Sequence, residues 1–138
     1  MADYTNLAAL IERYGEGELL QLAPPIAEGE EYDTARVAGA CHDASGEIDG
    51  YVSGGGYPVP LDPVPRVIAA FAADIARYRL YDAHAPEQIE HRYRDAVRFL
   101  SAVASGAVRL GAAPLPSPAG AGEVQFNPGR QVFGGGGF

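Results

Sequence analysis

No lysine and no tryptophan occur in this chain of 138 residues, and Cys41 is its one cysteine. Without lysine there is no Walker A loop, no Schiff-base chemistry and no lysine-centred phosphate site. A lone cysteine excludes an internal disulfide and a cysteine-rich zinc site. Long uncharged apolar runs are missing too; none approaches the 18 or so residues of a membrane span. The opening residues, Met1 to Thr5, have neither a basic nor an apolar region and do not read as a secretory signal.

What is present suffices for a core. Hydrophobic residues make up 47% of the chain, and at this length a single domain is expected. The net charge of −8 is unevenly distributed: residues 1–50 hold 11 acids against Arg13 and Arg36, whereas residues 63–111 hold seven arginines against five acids. If folding keeps these halves on different sides, the subunit is a dipole suited to complementary neighbours. The acidic balance argues against a free-standing DNA binder, whose affinity rests on cationic contacts with phosphates.

Apolar periodicity predicts four helices. The first spans Asn6 to Tyr14, with Thr5 as N-cap and Gly15 as a left-handed C-cap. A short apolar turn, Glu18 to Leu22, stops at Pro24 and Pro25, and an acidic linker runs from Ile26 to Tyr32. The second helix runs from the Asp33 cap to Val52 on a stripe of Val37, Cys41, Ala44, Ile48 and Tyr51. Gly39, Gly46 and Gly50 lie on its other side, where they permit a close helix neighbour. Gly54 to Gly56 end it in a flexible bend. An extended proline segment leads to a third helix, capped by Asp62 with Pro63 at its first position and reaching Tyr81. A fourth begins at Pro86 and is closed by Gly106 and Gly111, with a favourable Glu90–Arg94 pair on its wet side. Phe71, Ile75, Leu100 and Ile48 are expected to share one core. The fold class is therefore all-α: a small bundle of about four helices over residues 1–111, followed by an extended Gly/Pro-rich C-terminal arm over 112–138.

Candidate chemistry is sparse. Asp43, Ser45, Glu47 and Asp49 resemble a calcium loop, but Ile48 and Gly54 stand where that loop needs a glycine and a bidentate acid. Cys41 and His42 are adjacent and point about 100° apart on a helix, so they form no nucleophile–base pair. His84 and His91 lack ligand spacing. Asp74, among alanines, is expected to find Arg77 one turn away. Arg77-Tyr78-Arg79 and Arg92-Tyr93-Arg94 interleave cation and aromatic as nucleic-acid surfaces do, yet their tyrosines fall on the core stripes. The residues predict no enzyme, no cofactor and no metal site. In the arm, Val124, Phe126, Val132, Phe133 and Phe138 are the candidate partner-binding residues, since apolar side chains in an extended segment gain most from a neighbour's surface.

Read in order, Leu10-Ile-Glu-Arg-Tyr-Gly15, Glu18-Leu-Leu-Gln-Leu22, Asp43-Ala-Ser-Gly-Glu-Ile-Asp-Gly-Tyr51, Tyr57-Pro-Val-Pro-Leu61, Ala73-Asp-Ile-Ala-Arg-Tyr-Arg-Leu-Tyr81 and Arg92-Tyr93 resemble a known family. It is the family of Mu-like phage and prophage proteins typified by the thirty-sixth gene product of phage Mu. The resemblance covers about residues 4–111. It implies a virion part similar to the all-helical head-tail connector proteins, also called adaptors or head-completion proteins. Such proteins form a ring, commonly of twelve copies, beneath the portal, extend the DNA channel and dock the next neck or tail protein. The partners implied are other copies of the chain, the portal, the next neck protein, and double-stranded DNA passing without sequence-specific binding. The place implied is the virion neck, after synthesis in the host bacterial cytoplasm, with no membrane involved. A tail-terminator or stopper protein, and a small helical regulatory or DNA-binding protein, are the alternatives.

Overall fold

The computed structural model describes residues 3–111 as five α-helices, with no strand among the described residues. They are α1 (Leu7–Tyr14), α2 (Glu16–Leu22), α3 (Thr34–Gly54), α4 (Arg66–Tyr81) and α5 (Glu87–Ser105), with a 3-10 turn at Asp82–His84 between α4 and α5. The all-α expectation holds with one helix more than the periodicity gave. The apolar turn at Glu18 to Leu22 is the body of α2. Glu16 and Glu18 place negative charge at its N-terminus, and Leu19 and Leu22 line a small crevice with Leu10 and Leu80.

The first cap is Asn6 rather than Thr5. The Asn6 side chain accepts from the Ala9 N–H at 2.9 Å, while Thr5 turns inward and is buried. Gly15 has the expected positive φ of 96°, but its ψ of 154° is extended; it ends α1 and begins α2 in one residue. Asp33 caps α3 as expected, accepting from the Arg36 N–H at 3.2 Å. The α4 start differs: Asp62 and Pro63 lie in extended chain, and the helix begins three residues later behind Pro65. Asp62 and Val64 each precede a proline, which disfavours helical backbone at both.

Helices α3, α4 and α5 pack on one another, and α1 packs on α3 and α4. Side-chain and backbone bonds define the two ends. At one, which we call the proline end, the Tyr57 hydroxyl accepts from the Leu110 N–H at 2.9 Å, and the Tyr4 hydroxyl accepts from the Leu61 N–H at 2.8 Å. The start of α4 and the ends of α3 and α5 meet there. At the opposite, linker end, Arg36 donates to the carbonyls of Leu22 and Leu80, joining the end of α2, the start of α3 and the end of α4. The glycines after α3 are no flexible bend. A Cβ on Gly55 would stand 2.5 Å from the Val103 carbonyl oxygen, so glycine is what lets α3 close against α5.

Ile48, Ile75 and Leu100 are fully buried in one core. Phe71, grouped with them from the sequence, lies instead at the rim, half-buried with its ring 4.9 Å from that of Phe99. The small side of α4 took its place: Ala72, Ala73 and Ala76 are fully buried and bring the neighbouring helices close.

Candidate functional site

The five arm residues named from the sequence, Val124, Phe126, Val132, Phe133 and Phe138, lie outside the described residues. Within residues 3–111 several of the polar side chains that suggested chemistry are drawn into three clusters that tie elements of the fold together.

In the first, Arg77 of α4 donates to Glu18 of α2 at 2.6 and 2.9 Å. Its guanidinium lies 4.0 Å over the Tyr14 ring, and the Tyr14 hydroxyl donates to Asp74 at 2.6 Å. The expected Asp74–Arg77 pair is thus replaced by one across the fold. Both side chains of the Glu18–Arg77 pair are largely buried, and the hydrogen bond from Arg77 holds the Glu18 carboxyl below its ordinary range. Burial, then the bond to Asp74, pushes the Tyr14 hydroxyl up.

The second cluster sits on Glu47, which accepts from Arg79 at 2.7 Å and from the Tyr93 hydroxyl at 2.9 Å. The Tyr78 and Tyr93 rings stack at 4.2 Å. The two Arg-Tyr-Arg segments therefore put their tyrosines against each other rather than against a ligand. Burial and the bond to Glu47 raise Tyr93 to about 12. In the third cluster Tyr4 binds α3 twice: its N–H donates to the Ser45 hydroxyl at 2.8 Å and its own hydroxyl donates to Asp49. Burial, then the bond to Asp49, raises the Tyr4 hydroxyl to about 12.

These bonds account for much of the acidic set that superficially resembled a calcium loop: Glu47 holds α4 and α5, and Asp49 and Ser45 hold the N-terminal segment through Tyr4. Among the described residues no group of three or more His, Cys, Asp or Glu could hold a metal ion. Cys41 is buried, and that burial lifts its thiol to about 11, so it is protonated at neutral pH. His42 turns outward towards Asp3, 3.3 Å away. An open groove of about 460 Å³ between α3 and α4 is lined by Arg36, Asp43, Arg79 and Asp82 over Ala35 and Gly39. Two of its charges are already engaged, Arg36 by carbonyls and Arg79 by Glu47.

The side chains left to meet a partner are at the surface. Large exposed apolar residues fall at the two ends: Val59, Val64 and Val67 at the proline end, Leu20 and Ile26 towards the linker end. Sequence reasoning missed this division because it depends on which helix termini meet. Along α3, Gly39, Gly46 and Gly50 have nothing within 4 Å of where a Cβ would stand, so no described part of the chain makes the close approach these glycines allow.

The family model described as "Bacteriophage Mu, Gp36" matches residues 4–127. The chain is 43% identical over 111 residues to "Mu-like prophage FluMu protein gp36" of Haemophilus influenzae, covering 80% of this chain and 77% of that one. It is 32% identical over 133 residues to "Gene product J" of Escherichia phage Mu, covering 95% and 94% of the two chains.

Proposed function

The chain belongs to the bacteriophage Mu Gp36 family, one of phage structural and morphogenesis proteins, and from that premise we propose that it is a head-tail connector. In this reading copies of the chain form a ring, of twelve subunits, beneath the portal. The ring carries double-stranded DNA through its lumen without reading sequence and presents a platform to the next neck or tail protein. The location is the virion neck.

The observation that carries the reading is the extent of the family match. It runs through all five helices and on to residue 127, taking in Val124 and Phe126 of the arm as well as the helical body. A helical body in which Glu18, Glu47, Asp49, Arg77 and Arg79 are engaged in internal ties supports a structural role. The arm supplies apolar side chains for a neighbour, each worth roughly 1.5–3 kcal/mol when buried. By their sequence, Val124 to Phe126 and Gln131 to Phe133 read as short extended pieces, which would suit pairing with another chain's strand edge.

Imaging the neck of purified particles by cryo-electron microscopy tests the placement: density for these five helices in a ring below the portal is expected. Deleting residues 124–138 tests the arm. The helical circular dichroism should be unchanged while filled heads fail to join tails or leak DNA. Infectious particles at normal yield from that truncation would remove the arm from the mechanism.

A further inference from the structure

The two ends of the bundle differ in charge as well as in the apolar side chains they expose. Helix α3 has 21 residues, which sets the ends about 30 Å apart. At the linker end the chain between Ile26 and Arg36 and that between Tyr81 and Glu87 bring together six acids and one arginine. Glu28 and Glu31 are exposed there, beside the linker's Ile26, which is 80% exposed. At the proline end, Arg66 and Arg109 are exposed and neither makes an ion pair among the described residues. One acid, Asp62, is exposed with them. That end also carries exposed Val59 and Val64 on a proline-stiffened segment and Val67 in the first turn of α4.

We propose that the proline end, with Val64 and Val67 flanked by Arg66 and Arg109, docks on the linker end of a second copy, around Ile26, Glu28 and Glu31. The proposal rests on the ring reading above and names the surfaces that close it. Apolar side chains at the centre and charges at the rim are the ordinary anatomy of a protein interface. Opposite signs at the two ends select proline end to linker end and disfavour either end meeting itself. A contact between two different surfaces of one subunit is heterologous, and when its rotation closes it generates a ring rather than a symmetric dimer. A small exposed apolar area on each end is consistent with a subunit that stays soluble alone and associates when held at high local concentration.

Disulfide trapping tests this with the full chain, because Cys41 is buried and its thiol stays protonated at neutral pH. Two single variants, Val64→Cys and Ile26→Cys, are mixed and oxidised, both as concentrated free protein and within assembled particles. Mixed dimers are expected in clear excess over like-with-like dimers, with a yield that falls as salt rises. In low salt, adding Arg66→Glu and Arg109→Glu to the Val64→Cys chain should lower that yield about tenfold, and adding Glu28→Arg and Glu31→Arg to the Ile26→Cys chain should restore it. Like-with-like dimers in excess would overturn the proposal. So would a Val64→Cys thiol shielded by the chain's own residues 112–138, or particles that contain the protein but yield no mixed dimer. Those last particles would leave the connector reading intact, whereas absence of the chain from purified particles would remove that reading itself.

Discussion

Arg77 is the side chain on which the α1–α2 pair depends. It reaches Glu18 with two short bonds and covers the Tyr14 ring, so truncating it unties α2 and uncovers α1 together. Arg77→Ala should cost about 2 kcal/mol in urea unfolding, the order expected for hydrogen bonds between charged groups that are partly shielded from water. Arg77→Lys should recover less than half of that, since an ammonium cannot offer two parallel donors. Arg98→Ala is the control: its bond to Asp95 is within one helix and mostly exposed, and the change should stay within about 0.5 kcal/mol. The same pair fixes an acid response. Because Arg77 holds Glu18 below its ordinary pKa, its contribution is present above the normal carboxylate range and lost as pH falls through the lowered value. Glu18→Gln should flatten that part of the stability profile. The ion pairs that local spacing can display are those within α5, Glu90–Arg94 and Asp95–Arg98, whose partners are one turn apart. Glu18 and Arg77 are 59 positions apart, and no local spacing signals a pair that exists only once α2 lies on α4.

At the scale of elements, the small residues of α3 and α4 divide into those that touch something and those that do not. Gly46 is helix interior with nothing near its would-be Cβ, so Gly46→Ala should stabilise the isolated chain by roughly 0.5–1 kcal/mol. Gly55→Ala should destabilise it, because the new methyl meets the Val103 carbonyl. Thermal unfolding of the two variants decides both signs. The same measurement ranks the core. Ile75→Ala and Leu100→Ala should each cost about 2–5 kcal/mol, and Phe71→Ala less than either, since its ring is half-exposed beside Phe99. Periodicity was sufficient to find α3, α4 and α5, where stripes of four or five apolar residues repeat. It misjudged Phe71 because the stripe on α4 was weighted by size, while the closest packing runs through Ala72, Ala73 and Ala76. It missed α2 because seven residues give too few turns for a period to show, and that helix is held by what it packs against.

For the whole molecule, the uneven charge legible in the sequence becomes a difference between ends only through the antiparallel order of the helices. Glu47 and Asp49 belong to the acidic half of the chain but lie further along α3, away from the linker end, and both hold tyrosines. Those two tyrosines, with Tyr14 on Asp74, govern how the fold responds to base. Tyr4 fastens the N-terminal segment to α3, Tyr93 fastens α5 to α3, and Tyr14 fastens α1 to α4; each does so as a neutral hydroxyl donating to a carboxylate. Deprotonation would set two anions face to face, and burial adds to the cost, so all three are raised above the ordinary tyrosine value of 10. In the unfolded chain they ionise near 10. Their contribution is therefore complete below that pH and is lost as pH climbs through their folded values, about 12 for Tyr4 and Tyr93. The urea midpoint should accordingly hold steady across neutral pH and fall steeply from pH 10 upward, with all three ties weakening over one window. Tyr93→Phe removes one of these groups. It should lower the midpoint at pH 8 by the loss of its bond to Glu47 and make the alkaline decline shallower. If that variant declines as steeply as the parent, the Tyr93 hydroxyl does not couple α5 to α3, and the loss of stability in base arises elsewhere.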